Sequence, residues 1–258
     1  MKKVFFLCSL LSFVFLSACV IAVVDYPYSE GRWMPKSSFT RTLTLKPGGA
    51  VSLENARGNI EIEGWDEEKV EISAEGKRGY PPSRRLYVST WRQPDLEIRI
   101  KTTPDSISIE TDPTIQKDDT RLVNYVLRVP QSIRLQSIRN RSGDIRVADL
   151  YGGIDVDLEE GTVRIENFSG SVDVRLGNGD VEAEVLDLRP EDEVQITTER
   201  GDIRLYLEPQ ADIRLEASAP RGSILSDFDL GKEEEPAQKT RLSLTALNGD
   251  IRIKKGKE

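Results

Sequence analysis

From Thr40 onwards apolar and polar residues alternate with a period of two, as in Val51-Ser52-Leu53, Ile60-Glu61-Ile62, Val70-Glu71-Ile72 and Ile98-Arg99-Ile100. That period puts successive side chains on opposite faces of an extended chain, so these stretches predict short, half-buried strands. Apolar spacing of three and four residues, the mark of an amphipathic helix, is absent. Gly79-Tyr80-Pro81-Pro82-Ser83 and the polar run 111–120 read as loops between strands. The pattern therefore points to an all-β domain.

Glycines followed within two residues by Ile or Val repeat along the chain. They begin at Gly58-Asn59-Ile60 and continue through Gly143-Asp144-Ile145, Gly153-Ile154, Gly161-Thr162-Val163, Gly170-Ser171-Val172 and Gly179-Asp180-Val181. Gly201-Asp202-Ile203, Gly222-Ser223-Ile224 and Gly249-Asp250-Ile251 complete the series. From Gly143 to Gly179 the steps are 10, 8, 9 and 9 residues, and the later ones are 22, 21 and 27. A nine-residue unit holds one strand and one tight turn. Gly supplies positive φ without steric cost, and Asp or Asn bonds its side chain to nearby backbone N–H groups, so Gly58, Gly143, Gly161, Gly179, Gly201, Gly222 and Gly249 are expected to be structural turns.

In this register the inward positions are Ile145 and Val147; Ile154, Val156 and Leu158; Val163 and Ile165; Val172, Val174 and Leu176; and Val181, Ala183 and Val185. The outward ones are charged. Two arrangements compete. Pairing every second unit gives a solenoid coil of about 18 residues, with Arg146 over Arg164 on one face and Asp155 over Asp173 on the other. A sequential meander would instead alternate Arg146, Asp155, Arg164 and Asp173 with favourable cross-strand pairs. Charge alone favours the meander. Near-equal spacing, and the liability of a long unpaired edge, favour the solenoid.

The N-terminus changes the picture from fold to location. Lys2 and Lys3 precede an apolar run from Val4 to Leu16 that closes on Leu16-Ser17-Ala18-Cys19, the layout of a secretory signal peptide ending in a lipobox. The four closing residues resemble the signal of bacterial lipoproteins, in which the cysteine is acylated and the preceding peptide removed. Residues 1–18 are then a signal peptide, Cys19 the lipidation site, 19–38 the lipidated cysteine with a tether, and 39–258 a single β-repeat domain. Within that domain, 39–120 carries the N-terminal strands and 121–258 the Gly-Asp-Ile region. An ordinary cleaved signal and an uncleaved anchor are the competing readings, because apolar residues continue through Val24; the position of Cys19 favours lipidation. Two or three acyl chains, each contributing about 0.8 kcal/mol per buried CH₂, hold a protein on a membrane. Val20 is not the aspartate that commonly retains Gram-negative lipoproteins in the inner membrane, so an outer-membrane location is expected in such a cell, and the outer face of the single membrane in a Gram-positive one.

Composition narrows the chemistry. Cys8 lies in the segment to be discarded, so no disulfide is expected. The chain has no histidine, which removes Ser-His-Asp and Cys-His catalysis and His-ligated metals. Of 36 basic residues, loss of Lys2 and Lys3 leaves 34 against 44 acidic ones, a formal charge of −10 that argues against nucleic acid as a partner. Asp155, Asp157, Glu159 and Glu160 form the densest acidic cluster, but carboxylates along a flat strand do not converge as calcium requires. Neither metal nor cofactor is expected. Arg146, Arg164, Arg175, Arg204, Arg214 and Arg252 either line a stripe for acidic glycans or pair with neighbouring acids. Trp33, Trp65 and Trp91 either stack on sugars or anchor the core.

Two stretches carry a family resemblance. Residues 51–66, from Val51 through Gly58-Asn59-Ile60 to Gly64-Trp65-Asp66, followed by Val70-Glu71-Ile72, are similar to the opening of a bacterial family of unknown function labelled “putative adhesin”. So is the series of Gly-Asp-Ile and Gly-Ser-Val turns that follows Tyr125-Val126-Leu127-Arg128-Val129-Pro130. The resemblance covers roughly Phe39 to Ile253. It implies a right-handed β-solenoid-like or stacked-sheet fold, export to the envelope and no established enzymatic activity, and it transfers no site residues. The resulting expectation is a non-enzymatic, membrane-anchored lipoprotein that presents a β-repeat surface to an envelope protein or glycan for adhesion or scaffolding. A regulator of envelope stress is the alternative, and a polysaccharide-cleaving β-helix enzyme a weaker one.

Overall fold

The computed structural model describes residues 37–78, 96–112, 121–228 and 240–256. The expected signal peptide, Cys19 and the expected tether up to residue 36 lie outside them, as do Trp33 and Trp91.

Every described element is a strand. The first four are β1 (Ser37–Thr44), β2 (Ala50–Glu54), β3 (Ile60–Trp65) and β4 (Lys69–Arg78), followed by β5 (Ile98–Thr102), β6 (Ser106–Thr111) and β7 (Arg121–Pro130). The regular repeat then runs β8 (Arg134–Ser142), β9 (Ile145–Tyr151), β10 (Ile154–Glu160), β11 (Val163–Ser169), β12 (Val172–Asn178), β13 (Val181–Val185), β14 (Glu193–Arg200) and β15 (Ile203–Leu207). The chain finishes with β16 (Ile213–Ser218), β17 (Ile224–Ser226), β18 (Thr240–Ala246) and β19 (Ile251–Lys255).

Consecutive strands of the repeat go to opposite sheets, and every second strand pairs in parallel. One sheet has ten strands in the order β1-β4-β7-β3-β9-β11-β13-β15-β19-β17, and the other nine in the order β16-β18-β14-β12-β10-β8-β2-β6-β5. This is a β-solenoid-like stack, not a meander. Arg164 lies opposite Arg146 and Asp173 opposite Asp155, the registry of an 18-residue coil. Alternation explains why: Val156, Val174 and Ile196 point into the space between the sheets while Asp157, Arg175 and Thr197 point out, and a one-residue slip would reverse all of them. All the inward residues expected from the repeat, from Ile145 to Val185, are buried. Each Val, Leu or Ile so buried contributes about 1.5–3 kcal/mol, which outweighs the like-charge stacking on the surface.

Both ends of the stack depart from chain order. The coil β2–β3 is flanked on one side by β6–β7 and on the other by β8–β9. Likewise the last coil, β18–β19, sits between β14–β15 and β16–β17, so that β16 pairs with β18 and β17 with β19. The repeat spacing is near-equal only from Gly143 to Gly179, and the coils that stack out of chain order lie outside that stretch. The N-terminal end also changes sense, because β1 and β4, β4 and β7, and β5 and β6 pair antiparallel.

Candidate interaction faces

The turns expected from the repeat line one corner of the stack. Gly58, Gly143, Gly161, Gly179 and Gly201 have φ from 120° to 140°. Gly222 and Gly249 occupy the same corner outside that left-handed range. What the seven share is proximity. A Cβ on Gly161 would lie 2.8 Å from the carbonyl carbon of Gly143 and closer still to its oxygen, and the relation recurs from Gly143 on Gly58 through Gly201 on Gly179 to Gly249 on Gly201 and Gly222 on Gly249. The glycines thus form a column in which each backbone rests against the one below. At the five with φ of 120–140° the turn itself already selects glycine, and at Gly222 and Gly249 the neighbouring backbone does.

The residues after the glycines form a second column. The Asn124 side-chain oxygen accepts from Asn59 N–H (2.9 Å), that of Asn59 from Asp144 N–H (3.1 Å), and that of Asp144 from Thr162 N–H (3.0 Å). The ladder restarts at Asp180, whose carboxylate accepts from Asp202 N–H (2.9 Å), and continues from Asp202 to Asp250 and from Asp250 to Ser223, both 2.9 Å. Each side chain therefore serves the next coil, and not its own turn as turn chemistry suggests. The N–H and hydroxyl of Ser223 hold the Asp250 carboxyl below its ordinary range.

Inside this corner a polar cluster interrupts the apolar core. Asn55 donates to the carbonyl of Val123 (2.9 Å) and accepts from the Thr111 hydroxyl (2.9 Å), which also contacts the Tyr125 hydroxyl (2.8 Å). Burial pushes Tyr125 up to about 12, partly offset by its bond to Thr111. Asn140, one coil on, donates to the carbonyl of Gly58 (2.8 Å). Their signal in the sequence is an asparagine three residues before Gly58 and Gly143 at an otherwise apolar position.

On the outer faces, the six arginines singled out from the sequence all form ion pairs. Arg146 reaches Glu61 (3.0 Å) and Glu166 (2.5 Å), Arg164 reaches Glu182 (3.2 Å), and Arg204 and Arg252 share Asp202. Glu61 and Glu182 flank the stacked pair of arginines and Glu166 lies between them, which is how parallel stacking accommodates Arg146 over Arg164. Glu166 and Glu61 raise the pKa of Arg146 against a smaller opposing effect of burial. On the other sheet Arg175 pairs with both Asp173 and Asp155, and Arg214 with Glu216 (3.3 Å). Desolvation nevertheless raises the Asp173 carboxyl, Arg175 opposes it, and nearby Asp155 adds to the rise. Glu159 and Glu160 lie at the corner beyond Asp157. Among the described residues no group of three or more Asp or Glu converges as a metal site would require. The indole N–H of Trp65 donates to the carbonyl of Lys69 (2.8 Å), bracing the connection between β3 and β4.

Comparison with one solved structure agrees with this architecture. A crystal structure of a protein named “putative cell adhesion protein” from Clostridium sporogenes superposes with a TM-score of 0.53 at 13% identity, over 86% of this chain and 100% of that one. A “putative adhesin” from Bacteroides fragilis aligns at 13% identity over 85% of this chain and 97% of its own, with a TM-score of 0.34. No curated protein is recognisably similar. Residues 51–254 match the family described as Toastrack DUF4097, and the chain belongs to that family.

Proposed function

We propose that this protein is a non-enzymatic, envelope-anchored lipoprotein that presents its β-repeat surface for adhesion or scaffolding. Residues 1–18 are the signal peptide, Cys19 carries the lipid, and 19–38 tether a single domain that follows. The observation that carries the reading is the stack of two long sheets whose outer arginines and acids are tied to one another. Groups fixed in ladders make a rigid, wettable surface and are poorly placed to exchange protons with a substrate. The name of the Clostridium sporogenes protein, whose fold is similar, points the same way.

The test has three readouts on the full-length protein. Metabolic labelling with an alkyne fatty acid should mark the wild type and not Cys19→Ala, and wild type alone should fractionate with membranes. Purified protein should be captured by isolated envelopes. It should release no fragments from envelope polysaccharides. Unlabelled protein free in the soluble fraction would refute anchoring, absence of capture would refute the surface role, and released fragments abolished by changing one acid would make it an enzyme.

A further inference from the structure

Hydroxyl and amide side chains are unevenly spread over the two faces. On the outer face of the nine-stranded sheet, β14, β18 and β16 bring together Gln195, Thr197, Ser243, Thr245 and Ser218. Gln195 lies opposite Ser243, while Thr197, Thr245 and Ser218 stand in one row. They alternate with buried Val194, Ile196, Leu242, Leu244 and Leu215, which fixes their direction outwards. None of the five makes a side-chain hydrogen bond, whereas the hydroxyls of Thr198, Thr240 and Ser171 are all engaged.

In a chain that is 31% charged, a two-by-three lattice with Glu216 as its only charged position stands apart. Glu216 itself pairs with Arg214. Arg241 pairs with Glu193 (3.8 Å) at the start of the strands, and Asp173 with Arg175 on the β12 side. Glu199, just beyond Thr197, is exposed and unpaired. A polyanion would gain no net attraction here and would meet that carboxylate. The other half of the same sheet differs. Ser52 and Ser108 also face outwards there, but the next row holds Glu110, Glu54 and Arg139.

From this we infer that the outer face of β14, β18 and β16 binds an uncharged polysaccharide, with Thr197, Thr245, Ser243, Ser218 and Gln195 exchanging hydrogen bonds with its hydroxyls. The inference rests on the surface role proposed above and names its ligand. Rungs recur every ~4.8 Å and same-face side chains every ~6.7 Å along a strand, so the lattice repeats on the scale of a sugar ring. Free donors and acceptors on a rigid sheet lose little side-chain entropy on binding, and an uncharged patch costs less to desolvate than a charged one. Few contacts per site make binding weak, and a polymer offers many sites at once.

The test is affinity electrophoresis of full-length protein through gels containing dextran, mannan or amylose, with hyaluronate as the acidic comparison. Wild type should be retarded by at least one neutral polymer and not by hyaluronate. Thr197→Val with Thr245→Val keeps shape and strand propensity while removing two hydroxyls, and retardation should fall at least fivefold. Ser52→Ala with Ser108→Ala should leave it unchanged. Retardation by none of the neutral polymers, preference for hyaluronate, or an unaffected valine variant overturns the inference. Capture by isolated envelopes separates the two readings. Wild type captured by envelopes but ignoring all three neutral polymers overturns the inference and leaves the surface role standing, while failure on envelopes sinks the surface role.

Discussion

The glycine column makes a quantitative claim that three alanine substitutions can separate. Gly48 has φ 74° and nothing within 4 Å of a built Cβ, so Gly48→Ala meets conformational strain alone, about 1–2 kcal/mol. Gly153 is outside the left-handed range and its Cβ would meet only the Arg134 side chain, at 4.0 Å, so Gly153→Ala should be neutral or stabilising by up to about 1 kcal/mol. Gly161 combines φ 140° with a backbone obstacle, the carbonyl of Gly143. That carbonyl cannot retreat freely, because Gly143 N–H donates to Glu160 O and Gly161 N–H to Asn178 O (both 3.0 Å), tying successive coils together. Strain of about 1–3 kcal/mol plus the loss or lengthening of one such bond, about 1 kcal/mol, makes Gly161→Ala cost about 3 kcal/mol. At about 2–4 °C per kcal/mol for a domain of this size, the melting temperature should drop by roughly 6–12 °C. Gly161→Val should lose little more, since the first carbon already collides. By contrast Arg164→Thr, on the outer face, should stay within about 0.5 kcal/mol. Urea titrations and thermal melts followed by far-ultraviolet circular dichroism measure all five. If Gly161→Ala were no worse than Gly48→Ala, the close stacking of the column would be wrong. If Gly161→Val melted with Arg164→Thr, the corner assignment itself would fall.

Two further predictions concern titration. Asp173 has its folded pKa raised above the unfolded value, so its contribution is favourable below the unfolded pKa and is lost as pH rises through the folded one; Asp173→Asn should therefore be neutral or stabilising at pH 7 relative to pH 3, and a variant that falls further below wild type as pH rises would contradict the burial argument. Tyr125 is raised to about 12, so stability should fall as pH climbs from 10 towards 12 while that phenol resists ionisation; spectrophotometric titration of wild type against Tyr125→Phe, which should cost about 1 kcal/mol, would reveal one late-titrating tyrosine, and an unchanged curve would refute it.

Much of the architecture was legible because burial imposes period two and a fixed turn imposes period nine. Ile145, Val156, Val163 and Val174 declare their direction by type alone, and the spacing from Arg146 to Arg164 is the coil length. Charge favours a meander only between residues directly opposite one another; diagonal Glu166, two positions along, supplies the compensation in the solenoid. The inverted order at the two ends left no trace, since Gly143 repeats the chemistry of Gly58 whether one coil or several intervene in the chain. Antiparallel pairing of β1, β4 and β5 was equally silent, because alternation is the same in either sense. The glycine column had a signal, the recurrence of glycine itself, but the sequence does not show that it answers both to φ of 120–140° at five positions and to the backbone of the neighbouring coil. The hydroxyl lattice was hidden because Thr197 and Thr245 are far apart in sequence and become neighbours through the displaced C-terminal coil.

That displaced coil also governs when the domain can be completed. A chain delivered N-terminus first could stack as far as β15, but β16 and β17 then have no partner: each pairs only with a strand of residues 240–255, which follow it in the chain. The final strands act as a keystone, wedged between two coils that never touch each other along the ladder. A pull on the C-terminus must shear strands held on both sides, and a truncation that removes only the last twenty residues strips two coils from the stack instead of one.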